Sequence, residues 1–154
     1  MKDIAPIIKE EHAKLSKQWA KFIEEYQKDV VKSGLVLEQF KWNLQKHFQM
    51  EELSIYELSE SIKGNEVGTI FDLMADHGAI LALLAEIEKK LNEEVKGKIQ
   101  EFREALDKHE QFEDNNFYPL LDSYLNENQK ASIIIKIKSK IIEKDNSKPN
   151  NIGL

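Results

Sequence analysis

Two segments of the chain carry the same order of reactive side chains: His47, Glu51, Glu52 and Tyr56 in one, His109, Glu113, Asp114 and Tyr118 in the other. Residues four apart stand one above the other on a helix face, so each His-x3-Glu pair offers an imidazole nitrogen and a carboxylate to one point in space. Two such pairs facing each other would hold two ions. The chain has no cysteine, so any bound metal takes nitrogen and oxygen ligands, and disulfides, zinc fingers and cysteine-ligated clusters are excluded.

Helices must position these pairs, and helical periodicity dominates the chain. Breakers fall at Ser33-Gly34, Lys63-Gly64-Asn65, the Asn92 to Gly97 region and Asn126. Four long helices are expected over about residues 6–30, 36–61, 66–91 and 97–124, with a short fifth over about 128–144. Short connections favour antiparallel neighbours, so the expected fold is all-α: an up-down-up-down four-helix bundle with a short C-terminal helix. Pro119 lacks the N–H that would bond the Asn115 carbonyl, so a kink or an ending is expected near it. One domain is expected over residues 1–144, and the polar tail 145–154 is expected to be disordered.

The apolar seams decide where the candidate ligands point. Steps of three and four give Ile8, His12, Leu15, Trp19, Phe22 and Tyr26 in the first helix, and Leu37, Phe40, Leu44, His47, Glu51, Ile55 and Leu58 in the second. The third reads Ile70, Leu73, His77, Ile80, Leu84, Ile87 and Leu91; the fourth reads Ile99, Phe102, Leu106, His109, Glu113, Asn116 and Leu120. All four histidines of the chain therefore face inward, one per helix. A single histidine on an apolar face is usually a satisfied core residue. The carboxylates resist that reading, because an unpaired carboxylate at a core position costs several kcal/mol and two of them repel. Protons or histidine cations would neutralise them, but a divalent or trivalent cation is the simplest partner for two carboxylates and four imidazoles. Glu11-His12-Ala13 is echoed by Asp76-His77-Gly78, so the first two helices look like a duplicate of the next two. Glu11 and Asp76 themselves point about a hundred degrees from the histidines they precede and are expected to be surface charges.

One inward His, then His-x3-Glu, then one His, then His-x3-Glu resembles the hemerythrin-like, HHE cation-binding domains. The Phe117-Tyr118-Pro119-Leu120-Leu121 run is similar to the family's usual ending, and the resemblance covers roughly residues 8–122. It implies two non-haem iron ions in a four-helix bundle. By that similarity Glu51 and Glu113 bridge the irons, His12 and His47 bind one, His77 and His109 bind the other, and a bridging oxo or hydroxo completes the core. The oxygen carriers of the family bear a fifth histidine one turn from the first on the third helix, where this chain has Leu73 and Leu81. That leaves a vacancy on each iron and a more symmetric, open site, to be filled by water, by a small ligand, or by a third carboxylate such as Glu52 or Asp114. Both of these lie one position off the seam and read equally as solvated flank charges.

Imidazoles and carboxylates at this ratio suit iron or manganese and disfavour copper(I), while zinc would bind without redox work. Leu44, Ile55, Leu73, Leu81, Leu106 and Phe112 form the expected dry wall. Tyr56 and Tyr118, five residues after the bridging glutamates, are expected as amphipathic flank residues, with donation to the site the less common use. The expected function is binding or sensing of oxygen, a related small diatomic, or iron. A di-iron enzyme is the rival (a ferroxidase, a peroxide-consuming activity or a nitric oxide scavenger), and a helical interaction module comes third. A net charge of −6 disfavours nucleic acid as a partner. The longest apolar run, Ala79 to Ala85, is too short to span a bilayer. A cytoplasmic location is expected, and a homo-oligomer stays open. The basic fifth segment, with Lys130, Lys136, Lys138, Lys140 and Lys144, is expected to pack on its own bundle.

Overall fold

The computed structural model describes residues 2–56 and 66–147, with the backbone alone for 66–68. Helices α1 (Ile4–Lys28), α2 (Val30–Glu51), α3 (Glu66–Lys89) and α4 (Lys96–Phe112) form the four-helix bundle. Two π-helical turns, Glu52–Tyr56 and Glu113–Phe117, continue α2 and α4. The short α5 (Tyr118–Tyr124) prolongs the fourth helix, and α6 (Glu127–Asn146) follows.

The first connection differs from expectation. No break occurs at Ser33-Gly34; the chain turns at Asp29, whose extended backbone separates α1 from α2. Its carboxylate accepts the amides of Val31 and Lys32, so an N-cap does the work that the serine and glycine suggested. Ser33 returns its hydroxyl to the Val30 carbonyl, and Gly34 sits inside the helix where a Cβ would stand 3.6 Å from Leu91. At the other end of α1, Asp3 makes no side-chain cap, and Asp122 of α5 instead accepts the amides of Ile4 and Ala5 at 2.8 and 2.9 Å. A carboxylate 117 residues or more away in sequence thus ties the chain's first turn to the end of the bundle.

The core has two parts. One is built around Trp19, whose ring lies 4.8 to 5.1 Å from those of Phe22, Phe40 and Phe102. The other gathers Ile4, Ile8, Ile55, Leu73, Phe117 and Leu121 with Ile133, Ile134 and Ile137 of α6. Helix α6 packs on α1, α2 and the first π turn, as its isoleucines require. Its start is a capping box between Asn126 and Gln129, and it runs two residues past the expected end at 144. Residues 148–154 and Leu58 lie outside the described residues. Between the two core parts stands a layer of histidines and carboxylates.

Candidate metal centre

All six candidate residues on the seams are buried, from Glu51 and Glu113 at 0 % exposure to His12 at 5 %. His12 stands between Ile8 and Leu15 on α1, and His77 between Leu73 and Ile80 on α3. His47 and His109 each stand one turn before their glutamates, at the ends of α2 and α4. The contacts repeat across a pseudo-twofold axis. His47 Nε2 and His77 Nε2 each lie 3.3 Å from Glu51 Oε1, and His12 Nε2 and His109 Nε2 each lie 3.3 Å from Glu113 Oε1. One donor atom from each of His12, His47, Glu51 and Glu113 falls within 4.8 Å of the others, and the same holds for Glu51, His77, His109 and Glu113. Both carboxylates belong to both groups.

The outer faces of the rings are held by carboxylates. His12 Nδ1 faces Asp114 at 2.9 Å, His77 Nδ1 faces Glu52 at 2.7 Å, and His109 Nδ1 faces Asp76 at 3.1 Å. Each N–H donates outward, which turns Nε2 toward the centre and fixes the ring. Glu52 and Asp114 are therefore neither free flank charges nor aimed between the histidines; they orient the imidazoles. Asp76 is half exposed but is likewise engaged. Glu11 corrects the expectation of a surface charge outright: it is 4 % exposed and paired with Lys14 at 2.8 Å and Lys144 at 3.3 Å. By the duplication it corresponds to Asp76 and faces His47, whose Nδ1 finds no hydrogen-bond partner among the described residues. Its two oxygens accept from Lys14 and Lys144 instead.

The tyrosines also reverse the expectation. Tyr56 and Tyr118 are buried, and they cross over: Tyr56 donates to Glu113 Oε2 at 2.8 Å, Tyr118 to Glu51 Oε2 at 2.5 Å. In an α-helix a residue five positions on points roughly 140° away. The π turns after both glutamates, closed in the second copy by the Tyr118 amide on the Glu113 carbonyl, swing the tyrosine back toward the glutamate's face. The inserted residue also shifts the fourth seam by one, so Phe117 and Leu121 are buried where Asn116 and Leu120 were expected. Pro119, without an N–H, falls just after the turn, where the helix restarts. The twice-repeated Glu-x4-Tyr spacing was the signal for this in the sequence. Of the expected wall, Leu44, Ile55, Leu73 and Leu106 are buried and Leu81 is half-buried, but Phe112 is 41 % exposed. Phe48, which the seams omit, lies flat on His77 at 3.8 Å.

Electrostatics follow from burial and pairing. Burial works against charge on His12, but Asp114, Glu113, Glu110 and Glu51 outweigh it and raise its pKa to about 11. His109 rises to about 9 against burial, through Glu113, Glu51 and Asp76. His77 is raised by Glu51 and Glu52. Burial pushes Glu51 upward, yet His47 and His77 hold it well below the usual carboxylate range. Burial and the two carboxylates push both tyrosines well above their ordinary value, so they stay protonated donors. Glu110, absent from the sequence reading, is a further buried carboxylate, raised by burial to about 7. Since it follows a ligand-type histidine and reads as an off-seam position, nothing in the periodicity marks it.

The donor set tests well against a cation. Nε2 of His12, His47 and His109 and Oε1 of Glu51 and Glu113 are buried and lack hydrogen-bond partners among the described residues. Five such atoms converging on two points would be costly unless something positive sits between them. The hemerythrin HHE cation binding domain model matches residues 3–121. The chain belongs to this family. No curated protein and no solved structure matches it. This hemerythrin domain also has a groove of about 390 Å³ between α3 and α4, bordered by Leu73, Asp76, Ile80, His109 and Phe112. No helix among the described residues is long and apolar enough to cross a membrane.

Proposed function

We propose that this hemerythrin domain holds two non-haem iron ions and binds or senses oxygen, a related small diatomic, or iron itself. His12 and His47 are assigned to one ion, His77 and His109 to the other, and Glu51 and Glu113 to both. The observation that carries the reading is the convergence of five buried donor atoms without hydrogen-bond partners among the described residues: three histidine nitrogens and one oxygen from each of two carboxylates that touch a histidine of either group. Bound iron supplies one-electron chemistry and open positions for a small ligand; manganese would fit the same donors, and zinc would fit without redox.

The chain's own residues prepare the site. Asp114, Glu52 and Asp76 hold three imidazoles with Nε2 inward. Tyr56 and Tyr118 occupy the second oxygen of each shared carboxylate and keep their protons there. Leu44, Ile55, Leu73, Leu106 and Phe48 exclude water from the layer. A di-iron enzyme, with ferroxidase, peroxide-consuming or nitric-oxide-scavenging activity, is the second reading, favoured by the groove that gives a substrate an approach to His109.

The test is to load the protein anaerobically with ferrous iron, determine iron per chain, admit oxygen and follow the visible spectrum. Two irons per chain and an absorption that reverses under vacuum are expected. Rapid irreversible change with turnover would favour the enzyme, and a protein that takes up no iron would overturn both readings.

A further inference from the structure

The two halves of the site are near-duplicates, and one of their differences falls directly after the histidine of each His-x3-Glu pair. The residue after His47 is Phe48, and the residue after His109 is Glu110. Both turn away from their own histidine toward the next helix, and the outcome differs. Phe48 lies flat on the His77 ring, 3.8 Å and 7° from parallel, and edges His109 at 5.8 Å. Glu110 is nine-tenths buried, with Oε2 3.9 Å from His12 Nε2. That oxygen has no hydrogen-bond partner among the described residues, and Arg103, the guanidinium that bears on it, pairs with Asp107 and Ser16. A buried carboxylate that approaches His12 without a hydrogen bond to it is hard to account for by packing alone.

Resting on the two-metal reading above, we propose that Glu110 is a third carboxylate ligand for the ion held by His12 and His47, so that the two metal positions are unequal. The His12–His47 position has two imidazoles and three carboxylates; the His77–His109 position has two imidazoles, the two shared carboxylates and a phenyl ring. The first position fills first and binds more tightly, because added anionic oxygen raises affinity for a hard cation. The second lacks that added oxygen and is the position beside the groove bordered by Leu73, Asp76 and Phe112, so it takes the incoming small ligand. Asymmetry that the missing fifth histidine removes is thereby restored by a carboxylate on the opposite half.

The experiment is a calorimetric titration of metal-free protein with cobalt(II), with bound metal counted by native mass spectrometry and the visible cobalt bands recorded at each step. Wild type should take two ions in two resolved steps. E110Q should still take two, with the tighter constant weakened ten-fold or more, the weaker one unchanged, and the bands of the first ion altered. H77A should abolish only the weaker step. Metal-free E110Q should keep the helical content and cooperative unfolding of wild type, which separates lost ligation from lost folding. If E110Q leaves the tighter constant within two-fold, or if H77A removes the tighter step, the Glu110 proposal fails while the two-metal reading stands. If wild type binds no cobalt, both fail.

Discussion

At the scale of single residues the site depends on Glu51 and Glu113, each of which touches two histidines; Tyr118 donates to Glu51, and both Tyr56 and Tyr118 donate to Glu113. Removing one should do more than subtract a ligand. Glu113→Ala takes a counter-charge from His12 and His109 and the acceptor from Tyr56, so metal content should fall from two ions to one or none, measured by metal analysis. Breaking a buried charge pair costs about 3–5 kcal/mol, so the metal-free variant should also unfold at lower urea. The orienting carboxylates act more gently. Asp114→Asn keeps the shape but weakens the hold on His12, and affinity for the ion at that position should drop roughly 10–100-fold, read by competition with a chelator.

At the scale of elements the π turns are the devices that set the chemistry. Each adds one residue after a glutamate and brings the tyrosine five positions on back to the carboxylate layer. Inserting a residue after Asn115 should carry Tyr118 about 100° further round the helix, swing it off Glu51, and expose Phe117. Loss of one metal and a lower melting temperature are expected together, whereas Tyr118→Phe should retain the fold and cost about 1–3 kcal/mol for the unsatisfied carboxylate. Helix α6 closes the end of the bundle below the site. Ile137, fully buried on that helix, should cost roughly 2–5 kcal/mol as Ile137→Ala, measured by urea unfolding of the metal-free protein.

At the scale of the whole molecule, the same layer splits the core and couples folding to pH. His12 and His109 have folded-state pKa values of about 11 and about 9, above their ordinary 6.5. Their contribution to metal-free stability is fully present below pH 6.5 and is lost as pH rises through about 9 and then about 11. Glu51, held low, contributes in the opposite sense, and its share is lost only as pH falls below the carboxylate range. The metal-free protein should therefore show a lower urea midpoint at pH 9.5 than at pH 6.5. Metal must displace the protons on these imidazoles, so loading near neutral pH should release protons, seen as a buffer-dependent heat. With two ions bound, the high-pH loss of stability should be much reduced, because the cations then satisfy the carboxylates.

The sequence by itself determined the helical bundle, the inward placement of four histidines and two glutamates, and the family. These follow from periodicity: a side chain at a seam position has one direction to point, and the apolar residues around it leave little choice. What only the tertiary structure decided lies off the seams or between distant elements. Asp29 rather than Gly34 makes the first turn because a side-chain cap is visible only once the backbone is placed. Glu52, Asp114 and Asp76 find their histidines on neighbouring helices, and Glu11 pairs with a lysine 133 residues away, pairings that no local spacing encodes. Glu110 read as one more acidic flank residue on a charged helix. Its burial against His12 comes from the packing of α4 on α1, and that packing makes two chemically similar halves of the duplicated pattern unequal.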